Sequence, residues 1–397
     1  MLAPIAWRTP PRHYGPWELV TSLLTEALVA LGLDVTLFAT LDSQTTGTLA
    51  GVVPAPYNED STIDAKVWEH RHLSHLFARA GEFDLIHNQA DFPAHAFAPL
   101  VDTPMVTTIH GFSSDRILPM YKPYEDRVHF VAISEADRHP NLKYAATIHH
   151  GIATEDFPLD PVGSEDLLYF GRIHPDKGAR EAIKVAAAAG RRLHIYGVIQ
   201  DEAYHAREVL PHVDGEAVIF HGPVGGDERI RALGSAHALL HLINFDEPFG
   251  LSVIEAMASG TPVIAMRRGS MPELIDHGRS GFLVDDLPQA IAAIHLVPAL
   301  DRRAISAAAG RLFSAERMAR QYLDLYRKIL GNASFSPSTS ISGDARDLNE
   351  GQIALSSARL TRPQFGQSPV QTLSMTKGAS VSFCQKPTYE DTIETDS

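Results

Sequence analysis

The sequence predicts two α/β units, each built on a parallel β-sheet, followed by a polar tail. Short β-branched runs alternate with helical patterns from the start, and parallel strands need such crossover helices. The alternation restarts after residues 155–166 (EDFPLDPVGSED), whose two prolines and one glycine mark a linker. The alternation of strand-like and helical patterns ends at residue 331. We therefore expect doubly wound domains at 1–154 and 167–331, and a disordered Ser/Thr/Gln/Pro-rich tail at 332–397.

The N-terminal half contains six strand-like runs and two helical patterns. The runs cover residues 2–6, 34–39, 83–87, 105–110, 129–134 and 145–150, and the helices 17–31 and 63–80. The first run reaches Pro4 almost at once, so either this strand is short or a few upstream residues are absent from the chain. These elements together favour a doubly wound parallel sheet.

The C-terminal half repeats the pattern and ends in a long helical stretch. Strand-like runs cover 167–170, 192–196, 217–221, 238–243, 262–266 and 281–284, with helices at 177–189 and 302–330. The stripe Met318, Tyr322, Leu325 and Ile329 predicts packing of the last helix against a domain. Two such sheets joined by one linker leave a cleft, where ligands bind at the carboxyl ends of the strands.

Composition excludes several function classes. The net charge of −14 makes nucleic acid an unfavourable partner, and the single cysteine, Cys384 in the tail, allows no intrachain disulfide. The opening MLAPIAWRTPPR is too short for a signal-peptide core, and no run of about 18 apolar residues occurs. We expect a cytoplasmic protein without a transmembrane segment. The partly basic helix at 66–79 leaves peripheral membrane contact open.

The most informative motif is DEPFGLSVIEAMASGTPVI, residues 246–264. Glu247 precedes a Pro-Phe-Gly turn, and Glu255 follows on the helix that the turn begins. At about 1.5 Å of rise per residue the two carboxylates lie on the order of 10 Å apart, which is too far for a retaining glycoside hydrolase. The spacing suits the two ends of a nucleotide-linked sugar. The backbone N–H groups of Phe249, Gly250 and Leu251 are free to bind an anion or hydroxyls.

A second motif, YFGRIHPDKG at residues 169–178, places two cations after a strand. Arg172 and Lys177 lie on the loop that enters the next helix, where they can neutralise a diphosphate without a metal. On its own this loop also fits two solvated surface cations.

Two weaker signals come from the N-terminal half. In PPRHYGPWE, Gly15 can bring a backbone N–H against a phosphate at a helix start, although neither G-x-G-x-x-G nor a P-loop is present. In TTIHG, His110 ends a strand that points into the cleft, where it can bind a sugar hydroxyl or share a proton. A strand-end histidine is more often structural when taken alone.

Taken together, FDEPFGLSVIEAMASGTPVIA, GSMPELIDHGRSGFLV and FGRIHPDKG resemble the retaining glycosyltransferases of family 4 (glycosyl transferases group 1), which have the GT-B fold of two Rossmann-like domains. The resemblance covers residues 1 to about 330. It implies that Arg172 and Lys177 hold the donor diphosphate and that Glu255 binds the ribose hydroxyls. The other implied contacts are Glu247 and the amides at 249–251 with the donor sugar, Gly15 with the phosphate and His110 with the sugar.

The implied activity is retaining, metal-independent transfer of a hexose from a nucleotide-diphosphate sugar to an acceptor hydroxyl, with no cofactor and with Glu247 and His110 as the catalytic residues. The N-terminal domain would serve the acceptor and the C-terminal domain the donor. Departures occur at Gly15-Pro16-Trp17-Glu18, where Gly-Gly-x-Glu is usual, and at His150-Gly151, where Asn-Gly is usual. The alternatives are another GT-B sugar-nucleotide enzyme, such as an epimerase, and a non-catalytic nucleotide-sugar-binding protein. The donor base and sugar, the acceptor and the oligomeric state stay open.

Overall fold

Two parallel sheets with flanking helices form the protein in the computed structural model, which describes residues 1–12, 14–111 and 113–331. The expected disordered tail at 332–397, with Cys384, lies outside the described residues.

The N-terminal half is built on six short parallel strands. They are β1 (Thr36–Thr40), β2 (Thr48–Val53), β3 (Ile86–Asn88), β4 (Met105–Ile109), β5 (Val128–Ala132) and β6 (Ala146–Thr147). The order β3-β4-β5-β6 forms one sheet, and β1 pairs with β2. The helices are α1 (Pro16–Ala30), α2 (Ala65–Phe77) and α3 (Leu118–Tyr121). The apolar side of α2, with Leu73, Leu76 and Phe77, lies in the core.

Two of the N-terminal strands differ from the expectation. Only Leu2 pairs in the run predicted at 2–6, and it bridges Phe38 and Asn88, so it joins β1 to β3. Pro4 has no N–H to donate, which ends the ladder. The strand β2 was not predicted. Its Gly51 packs so closely against the backbone of Ala39 that a side chain would not fit, which explains its weak strand signal.

The C-terminal half has one six-stranded sheet. Its strands are β7 (Leu167–Phe170), β8 (Leu193–Tyr196), β9 (Val218–Gly222), β10 (Ala238–His241), β11 (Val263–Met266) and β12 (Gly281–Val284), in the order β12-β11-β10-β7-β8-β9. From β7 the chain proceeds outward to β9, then returns to the other side of β7 at β10. The strand order therefore reverses between β7 and β10, which is where open α/β sheets bind ligands.

Eight α-helices follow β7 in the described residues. They are α4 (Ala179–Ala189), α5 (Glu202–Tyr204), α6 (Gly226–Ser235), α7 (Leu251–Ala258), α8 (Met271–Leu274), α9 (Leu287–Leu296), α10 (Arg302–Phe313) and α11 (Ala315–Ile329). Apolar clusters on both faces of the sheet bury its strands, as a doubly wound sheet requires. No helix of the described chain has the length and apolar character needed to cross a membrane.

The last helical stretch, predicted as one helix at 302–330, is two helices. Ser314 is extended (φ −72°, ψ 147°), and its hydroxyl accepts the N–H of Arg317 at 3.2 Å, so it ends α10 and caps α11. The N–H of Ile152 donates to Phe313 O at 2.8 Å. The helix α10 packs on α7, whereas α11 packs on α1 in the N-terminal half, although the sequence suggested grouping it with the C-terminal domain. The domain limits around 155–166 stay a prediction.

Candidate active site

Lys177 and Glu247 meet at the point where the strand order reverses. Lys177 lies on the loop after β7 and Glu247 on the loop after β10, and their side chains form an ion pair. Each side chain is only 13% exposed, so the pair is well shielded from water. The ammonium also lies 4.6 Å from the centre of the Phe245 ring. Two residues that are 70 positions apart thus form one charged group at the end of the sheet.

Burial lowers the pKa of Lys177, and the carboxylate of Glu247 opposes that shift. Nε2 of His241 lies 3.7 Å from the same carboxylate. Burial lowers the pKa of His241 to about 4, so this imidazole is neutral near pH 7. The ammonium of Lys177 is therefore the cation on Glu247. A diphosphate that binds Lys177 would compete with this carboxylate.

Arg172 stands on the same loop after β7 and donates a hydrogen bond to the side chain of Gln200. Partial burial raises the pKa of Tyr14 in the N-terminal half, and the positive charge of the Arg172 guanidinium counteracts the shift.

Gly15 precedes α1 with φ 151°, a conformation that L side chains rarely adopt. A Cβ there would lie 2.9 Å from Cβ of Pro11 and 3.0 Å from Oε2 of Glu18. The carboxylate of Glu18 is buried and accepts the N–H of Trp7 at 3.1 Å. Burial raises the pKa of Glu18 to about 7. The loop is a tight turn in which only glycine fits.

Helix α7 begins at Leu251 after Gly250, whose φ of 111° again requires glycine. Among the described residues no side chain caps this helix start, and Phe249 beside it is buried. Ser270 donates its hydroxyl to the carbonyl of Phe249 and so holds the turn. The geometry leaves the amide end of α7 available to a polar ligand.

Glu255 lies one turn into α7 and is fully buried. One carboxylate oxygen accepts a hydrogen bond from Arg229, while Oε2 has no hydrogen-bond partner among the described residues. Burial raises the pKa of Glu255, and Arg229 counteracts the shift. Because an unsatisfied buried carboxylate oxygen is unfavourable, Oε2 is a ready acceptor for ligand hydroxyls.

His110 follows β4 and is 9% exposed. Its Nε2 lies 2.7 Å from Oε1 of Gln89, and Nδ1 has no partner among the described residues. Trp17 stacks on the ring at 5.2 Å, and His150 packs against it at 5.2 Å. Burial lowers the pKa of His110 to about 3, so the ring is neutral near pH 7. It can bind a hydroxyl as a neutral imidazole.

Contacts between the two halves include residues for which the sequence suggested no role. Glu273 of α8 accepts the N–H groups of Glu135 and Ala136 at 2.9 and 2.8 Å, and Nε2 of His149 lies 2.9 Å away. The hydroxyl of Ser134 donates to Pro248 O at 2.7 Å. These contacts hold the loop after β5 against the loop that carries Glu247. Glu273 was visible only as part of the motif GSMPEL, since contacts 138 positions apart have no sequence signature.

Metal-ligating side chains do not converge in the described part of the chain: no group of three or more His, Cys, Asp or Glu residues could hold an ion there. All nine predicted site residues are described. Arg172, Lys177 and Glu247 lie at the strand reversal, with 249–251 and Glu255 on the adjoining turn and helix, while Gly15 and His110 belong to the other half.

Two family models divide the chain between them. The model described as "Glycosyltransferase Family 4" matches residues 18–155, and "Glycosyl transferases group 1" matches residues 164–296. The chain belongs to the family 4, group 1 glycosyltransferases. Its architecture is the GT-B fold that the motifs implied.

Among curated relatives, a D-inositol 3-phosphate glycosyltransferase of Pseudarthrobacter chlorophenolicus is 32% identical to this chain, over 37% of this chain and 38% of that protein. The match therefore spans well under two thirds of that relative. A glycogen synthase of Mycobacterium tuberculosis is 26% identical over 78% of this chain and 89% of its own length.

Solved structures share the fold of this chain. AviGT4, a glycosyltransferase involved in avilamycin A biosynthesis, has a TM-score of 0.63 and 24% identity, covering 84% of this chain and 98% of its own. Anabaena HepE, solved in complex with UDP-glucose, has a TM-score of 0.61 and 17% identity, covering 83% and 98%.

Proposed function

We propose that this protein transfers a sugar from a nucleoside-diphosphate sugar to an acceptor hydroxyl, with retention of anomeric configuration and without a metal ion. The observation that carries the proposal is the shielded Lys177–Glu247 pair at the strand reversal, with Arg172 on the same loop. Family membership supports the reaction class. A hexosyl donor and a cytoplasmic location belong to the same proposal.

In this reaction Lys177 and Arg172 bind the donor diphosphate. As the bond between the anomeric carbon and the phosphate oxygen breaks, its electron pair passes to the leaving diphosphate, and both cations stabilise the added charge. Phosphate oxygens displace Glu247 from Lys177. The released carboxylate is then free to bind the donor sugar and to favour its developing positive charge.

The acceptor oxygen bonds to the anomeric carbon, and its proton passes to the leaving phosphate oxygen, so the step balances without an added base. Glu255 holds the ribose hydroxyls, since its Oε2 is a buried acceptor without a partner in the described residues. The amides at 249–251 and the neutral His110 bind sugar hydroxyls. Gly15 lets the backbone approach the phosphate.

The test measures thermal stabilisation by a panel of nucleoside diphosphates and their sugars, with and without EDTA. We expect one base to stabilise the protein regardless of EDTA, and Lys177→Ala to remove the response. Lys184→Ala is the matched control because Lys184 is an exposed lysine on the following helix. The stabilising donor, given a mixture of candidate acceptor hydroxyls, should then transfer its sugar at least about 100-fold more slowly in Lys177→Ala.

Three results would count against parts of the proposal. A full response in Lys177→Ala would refute the diphosphate assignment, and loss of activity in EDTA would refute metal independence. Conversion of the donor sugar with no acceptor present would indicate an epimerase. The anomeric configuration of the product, read by NMR, tests retention.

A further inference from the structure

A chain of buried hydrogen bonds runs from His110 into the N-terminal half. Nε2 of His110 lies 2.7 Å from Oε1 of Gln89, and Nε2 of Gln89 lies 3.0 Å from Nε2 of His87. Nδ1 of His87 lies 2.5 Å from the hydroxyl of Tyr326 on α11. Gln89 is fully buried, and the other three side chains are at most 9% exposed. None of the ligand contacts expected for the site gives a role to Gln89, His87 or Tyr326 in this hydrogen-bonded series.

Both imidazoles in the chain are neutral. Burial lowers the pKa of His110 to about 3 and holds the pKa of His87 well below its ordinary value. A neutral imidazole has one N–H donor and one acceptor nitrogen, and which nitrogen carries the proton depends on its partners. The hydrogen bonds of each ring therefore select its tautomer.

The amide of Gln89 has a different end toward each ring. Its oxygen can only accept, so Nε2 of His110 must carry the proton. Its nitrogen can only donate, so Nε2 of His87 accepts from it and is unprotonated; the hydroxyl of Thr108, 2.8 Å from the same nitrogen, can donate to it too. Nδ1–H of His87 then donates to Tyr326. The two rings thus have opposite tautomers, and Gln89 links them.

We propose that Gln89 is a positioning residue that fixes His110 as the Nε2–H tautomer and leaves its Nδ1 as a hydrogen-bond acceptor in the site. Nδ1 is buried and has no hydrogen-bond partner in the described residues. With the proton on Nε2, Nδ1 accepts the O–H of a donor-sugar hydroxyl; the opposite tautomer would present an N–H there. The identity of this ligand rests on the proposed function, whereas the tautomer does not.

The tautomer can be read directly in the ligand-free full chain. The protein is labelled with ¹⁵N-histidine, long-range proton–nitrogen spectra are recorded, and His110 is assigned by the signals lost in His110→Gln. We expect Nε2–H in the native protein and in Gln89→Glu, which still offers an oxygen to that nitrogen. In Gln89→Leu we expect the Nε2–H pattern to be lost.

Asn88→Leu is the matched control. Asn88 is equally buried and directly precedes Gln89, at the end of β3, but its side chain bonds to no ring of this hydrogen-bond network. It donates to Asp91 O at 2.7 Å and to Thr107 Oγ1 at 3.1 Å and accepts the N–H of Ala90 at 2.9 Å. The variant removes these three hydrogen bonds and should leave the His110 signals unchanged. An unchanged Nε2–H pattern in Gln89→Leu, or an Nδ1–H pattern in the native protein, would overturn the proposal.

Kinetics with the donor identified above separate positioning from folding. We expect Gln89→Leu to raise the donor KM about tenfold with a smaller change in kcat, and Gln89→Glu to restore most of the donor KM. An unchanged KM in Gln89→Leu would remove the functional part of the proposal. If no nucleotide stabilised the native protein, the proposed function would fail, while the spectra would still decide the role of Gln89.

Discussion

Replacing Glu273 by Gln should weaken the contact between the two halves of the protein. The carboxylate accepts two backbone N–H groups, from Glu135 and Ala136, and lies 2.9 Å from Nε2 of His149. All three partners belong to the N-terminal half, while Glu273 lies on α8 behind the turn at 249–251. Glutamine keeps the shape but has a single acceptor oxygen. Its NH₂ group then faces an N–H donor, and at least one hydrogen bond is lost.

The magnitude follows from the number and kind of bonds lost. A hydrogen bond to a charged group contributes about 1.5–3 kcal/mol, and Glu273 is only 21% exposed, so screening by water is modest. We expect Glu273→Gln to lower the free energy of unfolding by about 2 kcal/mol at pH 7. Burial alone would raise the pKa of Glu273, but the bonds from His149 and the two amides outweigh it and leave the pKa below its ordinary value of 4.5.

A lowered pKa makes the effect pH-dependent in one direction. The contribution of the carboxylate is fully present above pH 4.5 and is lost as the pH falls through the lower folded-state pKa. Urea unfolding followed by tryptophan fluorescence at pH 7 and at acid pH measures the difference. Glu316→Gln is the control, because Glu316 pairs with Arg320 on an exposed helix face and should contribute under about 0.5 kcal/mol. Equal losses in the two variants at pH 7 would refute this reasoning.

Three further predictions concern buried groups around the candidate site. Burial raises the pKa of Glu18 to about 7, so the folded state holds this proton more tightly than the unfolded state does. The free energy of unfolding should therefore fall by about 3 kcal/mol as the pH rises from below 4.5 to above 7. In Glu18→Gln the midpoints of urea unfolding should change less with pH over that range. Gly15→Ala should destabilise the protein by at least about 1 kcal/mol through its positive φ and the contact with Pro11, and an unchanged melting temperature would contradict the tight turn. Arg229→Met removes the cation that opposes the raised pKa of Glu255, so calorimetry should show weaker binding of the donor nucleotide, most strongly at low pH.

The sequence predicts well those features that depend on residues close together in the chain, such as the loop on which a site residue lies. Strand, loop and helix spacing places Arg172 and Lys177 after one strand and Glu247 after another, and the structure has both loops there. This spacing does not show that the two loops are adjacent, because their adjacency depends on the pairing of β10 with β7 in the sheet. The Lys177–Glu247 pair is therefore a result of topology, although each residue was a candidate separately.

Features that depend on distant partners were missed for a common reason. The break at Ser314 interrupts an otherwise continuous helical pattern because Phe313 and Ala315 bond to Ile152, far back in the chain. The strand β2 is held by its pairing with β1, and its own residues signal a strand weakly. Tertiary pairing decides these elements, and local propensity does not reveal it.

The same dependence on distant partners explains the protonation states around the candidate site. The sequence suggests that His110 can share a proton, because a free imidazole titrates near neutrality. Burial between Trp17, His150 and Gln89 lowers its pKa to about 3, so near pH 7 it can act only through its lone pair and its single N–H. Lys177 is buried too, but it keeps a carboxylate beside it. The site thus holds two ion pairs, Lys177 with Glu247 and Arg229 with Glu255, while Arg172 bonds to the neutral side chain of Gln200. A charged ligand that binds Lys177 must rearrange the first of these pairs.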